Sequence, residues 1–296
     1  MILKGWIHEI RDLGGIKFLV LRNREGLHQI VLPKKKVSKD IFEMVSALNK
    51  EDVITIECEK KDSQAKDFEF EYLPLKIEIL NKSETPLPLD PAEKVSAEMD
   101  TRLDNRFLDL RKRKIFNIFK IRSELLKYTR EFLLKEDFIE IHTPKIISTA
   151  SEGGTELFPV QYFEKRAYLS QSPQLYKEMM MAAGFDRVFE ITWYFRAEEH
   201  NTRRHLNEST AIDLEMAFIK DEEDIMKILE NLIHYTLKKL SENCKNELEE
   251  RGVKIECPNL PFKRIMYDEA VKILHDRGSN MKWGEDLGTE DEKILG

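Results

Sequence analysis

The sequence predicts a small closed β-barrel of the OB-fold kind, joined by a stiff connector to an α+β domain built on an antiparallel sheet. Three observations carry this. Residues 1–80 hold short β-branched or alternating runs separated by turn residues. Residues 85–91 hold Pro86, Pro88 and Pro91. Beyond residue 110, two long amphipathic stretches bracket several strand-like pieces, without the regular strand–helix alternation of a doubly wound fold.

In the barrel region, residues 17–22, 27–32 and 52–57 read as strands, and residues 75–80 alternate with period two. Gly14-Gly15, Asn23 to Gly26 and Pro33 mark the turns. One helix, residues 38–48, interrupts the strands. The proline-rich stretch cannot be a helix interior, because proline lacks the amide donor and clashes with the preceding turn. The boundaries expected from this are a barrel over 1–82, a connector and hinge over 83–110, and a second domain over 111–296.

The second domain should open with a helix over residues 112–135. There Ile115, Ile118, Phe119, Leu125, Leu126, Phe132 and Leu133 mostly keep the 3.6-residue period. Strand-like pieces follow at 138–141, 167–169, 188–191 and 211–216. A second helix over 221–243 puts Ile225, Ile228, Leu229, Leu232, Leu237 and Leu240 on one face.

Composition narrows the function. Of 296 residues, 41% are hydrophobic and 35% charged, so a packed core is expected rather than disorder. No run of eighteen apolar residues suggests a membrane span, and the N-terminus lacks a signal-peptide layout. Cys58, Cys244 and Cys257 form no CxxC pair, which argues against a disulfide framework or a zinc finger. A soluble cytoplasmic protein is expected. The net charge is −7, yet residues 1–40 carry nine Lys/Arg against four Asp/Glu, leaving −12 on the remainder. A basic end on an acidic body suggests a polyanion contacted locally; a solvated lysine face explains Lys34-Lys35-Lys36 equally simply.

Four groups of residues carry more polar chemistry than a core needs. Residues 151–158 place a glycine pair beside carboxylates, so backbone can approach a ligand closely. Gln171 to Lys177 combine amides with a point cation, enough to read a carboxylate and an amine, or only an exposed turn. Residues 195–206 lead from a strand into a loop dense in Arg, Glu and His, where Arg196 and Arg204 could grip phosphates. His200 and His205 are five apart, not at the helical spacing of a zinc hydrolase. Arg11, Phe18 and Gln29 supply a cation, a stacking face and base-edge hydrogen bonds, the mixture used by readers of single-stranded RNA; core packing is the plain alternative for Phe18.

Taken together these segments resemble the class II aminoacyl-tRNA synthetases, most closely the aspartyl-tRNA synthetases of archaeal/eukaryotic type. Residues 138–144, ending in Pro144, look like motif 1. Phe195 through Glu215 look like motif 2. The strings 152–158 and 171–177 are more specific still, and Thr101 to Arg106 match the family's hinge. The likeness runs from about Gly5 to Gly296.

That resemblance implies an anticodon-binding OB-fold followed by a class II catalytic domain. It implies ATP-dependent ligation of L-aspartate to tRNA(Asp) through an aspartyl-adenylate, with ATP and Mg²⁺ as cofactors and a homodimer formed through motif 1. By the same resemblance Glu152, Gln174, Lys177 and Arg196 bind aspartate, with Arg196 also the catalytic residue bridging carboxylate and α-phosphate. Arg196, Glu198, Arg204, His205 and Leu206 line the ATP site, and Arg11, Phe18 and Gln29 read the anticodon. His8 stands where aspartate-specific relatives tend to carry tryptophan. That difference raises the expectation of relaxed discrimination at the last anticodon base, so that tRNA(Asn) is charged too.

Departures are equally visible. A motif 3 stretch of the form Gly-x-Gly-x-x-x-Arg does not occur in the 296 residues. The expectation is a C-terminally truncated catalytic domain, whose Mg²⁺ ligands lie beyond Gly296 and which alone forms no adenylate. Two alternatives stand beside it: a non-catalytic tRNA-binding paralogue, and an asparaginyl-tRNA synthetase. Against the last, Lys177 would be left unpaired beside a neutral amide.

Overall fold

The structure is a computed structural model, and it describes residues 1–63, 68–148, 157–197 and 206–296. The chain divides into two compact units, residues 1–119 and 120–296.

The first unit is a closed five-stranded barrel. Its strands are β1 (Ile2–Asp12), β2 (Ile16–Arg22), β3 (Leu27–Pro33), β4 (Val53–Asp62) and β5 (Phe70–Asn81), in the order β1-β2-β3-β5-β4. Closure removes the free sheet edges. The β3–β5 contact is parallel and short, pairing Gln29 with Glu71 and Ile30 with Tyr72. Period-two alternation sends Leu3, Ile7, Leu19, Leu21, Ile30, Leu32, Ile54 and Ile56 inward. Helix α1 (Lys39–Met44) plugs the barrel with Phe42. Ser38 caps it, its Oγ accepting from the Ile41 amide at 3.4 Å.

The helix expected over 38–48 is thus shorter, and the chain continues as a single tight turn at Val45–Ala47. Strand β1 was not singled out by the sequence pattern. Gly5, the Trp6 and His8 rings and a register shift between Ile7 and Glu9 interrupt its alternation. Gly5 is required by close approach: a Cβ there would sit 2.2 Å from the Arg22 carbonyl oxygen.

The connector is more structured than a stiff linker. Leu89 is buried, Asp90 accepts from Lys50 at 3.1 Å, and two short helices follow, α2 (Met99–Asp104) and α3 (Arg106–Asp109). The proline-rich segment itself stays non-helical, as its sequence requires. Buried Asp109 anchors this region through Arg102 at 2.9 Å and Lys112 at 3.0 Å.

Helix α4 (Arg113–Lys135) is followed in the second unit by β6 (Ile139–Glu140), β7 (Ile146–Ile147), β8 (Pro159–Tyr162), β9 (Lys165–Leu169), α5 (Gln174–Ala182), β10 (Arg187–Phe195) and β11 (Glu208–Met216). Then come α6 (Glu222–Asn243), α7 (Lys245–Arg251), α8 (Tyr267–Asp276) and α9 (Thr289–Leu295). The main sheet has the order β11-β10-β6. β10 and β11 pair antiparallel over their full length, but β6 lies parallel to β10, so the sheet is mixed rather than wholly antiparallel. The chain re-enters beside β6 only after a long excursion, which permits parallel pairing. β7, β9 and β8 form a second, smaller antiparallel sheet.

One face of the main sheet is apolar. Phe189, Ile191, Leu214 and Met216 pack on Phe132 and Leu133 of α4 and on Ile228 and Leu232 of α6. Helix α6 begins with Asp221 accepting from the Glu223 amide at 3.1 Å, and three acidic residues in its first turn favour the helix dipole. The acidic run 290–292 is likewise the first turn of α9. Helices α8 and α9 share a small core of Val271, Leu274, Met281, Ile294 and Leu295. Among the described residues no helix is long and apolar enough to cross a membrane.

Candidate functional site

Two surfaces gather the chemistry, one on each unit. On the barrel, cross-strand pairing aligns Arg11 with Phe18 and Val31, and in the next row Glu9 with Val20 and Gln29. Directly opposed residues point to the same side of a sheet. Arg11, Phe18 and Gln29 therefore share the outer face, with Leu19 and Leu21 inside. Phe18 is half-buried and absent from the barrel core.

Polar neighbours fix this face. Arg11 donates to both oxygens of Glu9, at 2.8 and 3.0 Å, and Lys94 also reaches Glu9. The Arg11 hydrogen bond, with help from Lys94, pulls the Glu9 carboxyl down to about 2. Gln29 is mostly buried, and its Nε2 donates to Glu71 at 3.1 Å. The amide edge is thereby pre-oriented on the sheet. His8 occupies the register shift of β1, and its Nδ1 lies 3.2 Å from Arg22. Burial and the Arg22 charge push its pKa down, so the ring is neutral near pH 7.

On the second unit, the sheet face opposite the helices is polar. Alternation along β10 and β11 puts Glu190, Thr192 and Tyr194 there, facing Asp213, Ala211 and Ser209 across the pair. Lys177 on α5 reaches this face with only 4% of its surface exposed. Its ammonium contacts Asp213, Glu215 at 3.1 Å and the Leu214 carbonyl at 3.2 Å. Three acceptors match its three donors. Burial alone would lower the Lys177 pKa, but the bonds to Asp213 and Glu215 outweigh it and the net shift is upward. Lys177 is therefore charge-balanced in the absence of substrate, not the unpaired cation on which the sequence argument against a neutral amide rested.

Gln174 lies one helical turn before Lys177, on the same side of α5, and its Nε2 donates to Glu178 at 3.0 Å. The 171–177 segment is thus a turn leading into a helix, with Lys177 inside it. Arg196 follows β10, its amide donating to the Asn207 carbonyl and its guanidinium lying 5.3 Å from the Tyr194 ring centroid. Leu206 has the parity of Thr210 and Ile212, and joins Trp193 and Arg122 around a shallow hollow on the other side of the sheet from Tyr194. Glu152, Glu198, Arg204 and His205 lie outside the described residues.

Glu190 is a functional residue that the sequence pattern does not mark. It is buried, accepts from the Thr143 amide and hydroxyl at 2.8 Å each, and takes Lys145 at 3.0 Å. It thus locks residues 143–145, including exposed Pro144, to the strand that leads to Arg196. Asp213 and Glu215 are likewise unmarked one at a time. Together their signal is two carboxylates at alternate positions of the otherwise apolar run 211–216.

Among the described residues no three His, Cys, Asp or Glu side chains cluster as cation ligands. The Asp213–Glu215 pair is already neutralised by Lys177. These residues do not form a donor set suited to Mg²⁺, and the ion enters no step described below.

Residues 1–82 match the family described as OB-fold nucleic acid binding domain, and residues 98–296 match tRNA synthetases class II (D, K and N). Aspartate--tRNA(Asp) ligase of Pyrococcus abyssi is 56% identical over 292 residues, covering 99% of this chain and 67% of the relative. Aspartate--tRNA(Asp/Asn) ligase of Methanocaldococcus jannaschii is 54% identical over 296 residues, covering all of this chain and 67% of the relative. Among solved structures, asparaginyl-tRNA synthetase from Pyrococcus horikoshii with asparaginyl-adenylate superposes with a TM-score of 0.91 at 35% identity, covering all of this chain and 68% of that one.

Proposed function

Because the chain belongs to the class II tRNA synthetases of the D, K and N group, we propose that it binds L-aspartate on the polar face of the β10–β11 sheet and reads the tRNA anticodon on the outer face of the barrel, as part of ATP-dependent aspartate–tRNA ligation. The observation that carries the amino-acid half is the buried Lys177 ammonium, held against Asp213 and Glu215 on the polar sheet face. The helix that places it there, α5, also carries Gln174. The aspartate side-chain carboxylate takes over one of the three acceptor positions on Lys177, and Gln174 holds the substrate from the same side of α5. Arg196 presents a planar fork that accommodates a carboxylate and a phosphate together.

The chemistry then needs positioning more than a general base. The α-carboxylate attacks the α-phosphorus of ATP in line, the bond from that phosphorus to the β-phosphate oxygen breaks and pyrophosphate leaves, and Arg196 offsets the charge that builds on the phosphate oxygens. Glu152 holds the aspartate ammonium, and Glu198, Arg204 and His205 contact ATP, whereas Leu206, in the hollow on the other side of the sheet from Tyr194, does not belong to that site. Class II synthetases generally use Mg²⁺ with ATP, and the ion supplies charge neutralisation on the phosphates when bound. The tRNA 3′-hydroxyl subsequently displaces AMP from the adenylate. A homodimer forms through the exposed Pro144 segment, and the protein works in the cytoplasm with tRNA(Asp) as partner.

The domains follow as a barrel over 1–82, a hinge over 83–110 and a catalytic part over 111–296. Charging of tRNA(Asn) as well is favoured by His8, a smaller and neutral ring on the RNA face. Both kinds of relative, Asp-only and Asp/Asn, stand at similar identity.

The test is a chimera in which the C-terminal third of the M. jannaschii relative is joined to these 296 residues. Aspartate-dependent ATP–pyrophosphate exchange is expected from the chimera and not from the 296-residue polypeptide alone, which contains no Gly-x-Gly-x-x-x-Arg stretch. Exchange with asparagine instead of aspartate would overturn the assignment. Charging of tRNA(Asp) without tRNA(Asn) would overturn the relaxed anticodon reading only.

A further inference from the structure

Among the β10 and β11 residues on the polar face of the main sheet, Tyr194 is the one aromatic ring. It is half-buried and stands directly opposite Ser209, and in the next row toward Lys177, Thr192 stands opposite Ala211. Opposed Cβ atoms of an antiparallel pair lie about 4.5–5.5 Å apart. Side chains as short as serine and alanine cannot reach across that gap to cover the ring. The side of Tyr194 turned toward β11 therefore borders a slot floored by Ser209 and Ala211, wide enough for one flat ring against the tyrosine. The guanidinium carbon of Arg196 lies 5.3 Å from the Tyr194 ring centroid, so a forked cation stands beside the stacking surface. Two backbone bonds of 3.0 Å fix the strand end that carries both: the Phe195 amide donates to the Ser170 carbonyl, and the Arg196 amide to the Asn207 carbonyl.

We propose that Tyr194 is the platform on which the adenine of ATP stacks, the base entering the slot above Ser209 and Ala211 with the Arg196 fork beside it. A flat ring next to a cation suits a base and the phosphate attached to it. An adenine also comes to this face as the terminal nucleoside of tRNA. Spacing selects the ATP base. Ser209 precedes Asp213 by four residues on β11, roughly 13 Å along a strand, and Asp213 contacts Lys177. A single extended molecule with aspartate at one end and adenine at the other spans that length, as the aspartyl-adenylate does. The small side chains between the two ends leave its path along the sheet open. The inference rests on the reading that aspartate and ATP meet on this face, and it names the surface that holds the base.

The experiment measures, by calorimetry on the 296-residue protein, binding of L-aspartate and of a non-reactive aspartyl-adenylate analogue with a sulfamate in place of the phosphate. Tyr194→Leu is expected to weaken the analogue at least about fivefold, the loss of one base–aromatic stack, and to leave L-aspartate within about twofold. Tyr194→Phe keeps the ring and should bind both like the wild type. The same analogue without its base should bind wild type and Tyr194→Leu equally. Equal affinity of the complete analogue for wild type and Tyr194→Leu overturns the platform, and so does an equal loss with the base removed. If Tyr194→Leu fails to fold, NMR decides with protein in which only the tyrosine rings carry protons. Magnetisation should pass from a ring to the adenine H2 and H8 of the bound analogue in the wild type and not in Tyr194→Phe; transfer that is absent, or that survives Tyr194→Phe, overturns the proposal. A short RNA hairpin ending in the tRNA acceptor adenosine separates the sources: if Tyr194→Leu weakens the hairpin and not the analogue, the ring serves the tRNA end and the ATP proposal falls. Wild-type protein that binds neither L-aspartate nor the analogue overturns the aspartate reading itself, whereas aspartate binding with an analogue insensitive to Tyr194→Leu removes only the platform.

Discussion

The ammonium of Lys177 lies 3.1 Å from a carboxylate oxygen of Glu215, and on the same strand, two residues earlier, Asp213 grips it as well. A cation so placed has no spare donor. Substrate must therefore displace an acceptor, and Asp213 or Glu215 must turn away as aspartate enters. Lys177→Leu leaves both carboxylates without their counter-charge. Because each keeps about a quarter of its side chain exposed, the loss falls below that of a fully buried pair, at about 1–3 kcal/mol of unfolding free energy. Urea denaturation measures it. Asp213→Asn should restore much of that loss in the double variant, which a purely packing role for Lys177 would not produce.

The Glu9 carboxyl titrates at about 2 in the folded chain, below its ordinary value of 4.5, mainly through its hydrogen bond to Arg11. A depressed acid adds stability above its unfolded pKa and loses it as pH falls through the folded one. Between pH 4.5 and 2 the wild type should therefore lose about 1 kcal/mol more than Glu9→Gln, a figure reduced because Arg11 and Lys94 are largely exposed. Denaturation midpoints of the two proteins should converge on acidification; a constant gap would show that Glu9 is held by something other than its charge.

Phe18 is half-buried on the outer face of the barrel, apart from its core. Phe18→Ala should cost far less stability than truncating a core phenylalanine, which runs to about 3–5 kcal/mol. Binding of the anticodon stem-loop should nevertheless weaken by roughly 1–3 kcal/mol, the contribution of one base–aromatic stack. Equal RNA affinity in a folded variant would move the base-stacking role off this residue.

Gly5→Ala places a Cβ 2.2 Å from the Arg22 carbonyl oxygen, so β1 and β2 must separate at that row. A loss of about 1–3 kcal/mol is expected, as for other overpacked sites. A thermal melt checks it. Arg22 also pairs with buried Glu51 through two bonds of 2.8 Å, so disturbance at Gly5 should reach that pair.

The barrel was legible because its inward residues keep period two on β2 and β3, and the long helices because α4 and α6 carry continuous apolar stripes. β1 escaped because Gly5 answers a close backbone approach and the register shift at His8 breaks its alternation, features decided by the neighbouring strand. Helices α2 and α3 escaped because Asp109 holds them with Arg102 and Lys112, and such a network is invisible until the chain is folded. In the candidate site, Gln174 and Lys177 were readable as residue types, and their nearness on one side of α5 follows from helical spacing. That Lys177 is already neutralised was not readable. Asp213 and Glu215 are more than thirty residues away in sequence and meet it only through packing of α5 on the sheet.

The grip of Glu190 on Thr143 and Lys145 also constrains when the second unit can assemble. β6 is two residues long and parallel to its neighbour, so it cannot persist before β10 exists, and Glu190 itself arrives more than forty residues later in the chain. Residues 138–145 must wait, unpaired, while β10 and β11 form their antiparallel hairpin, whose contacts are closer in sequence and quicker to make. During synthesis the Pro144 segment is therefore expected among the last parts of this sheet to become fixed, and a protease or chaperone acting on the nascent chain would meet it as an extended stretch with Phe138 and Ile141 still uncovered. Slowing of refolding by Glu190→Gln would appear in this closing step and leave hairpin formation untouched.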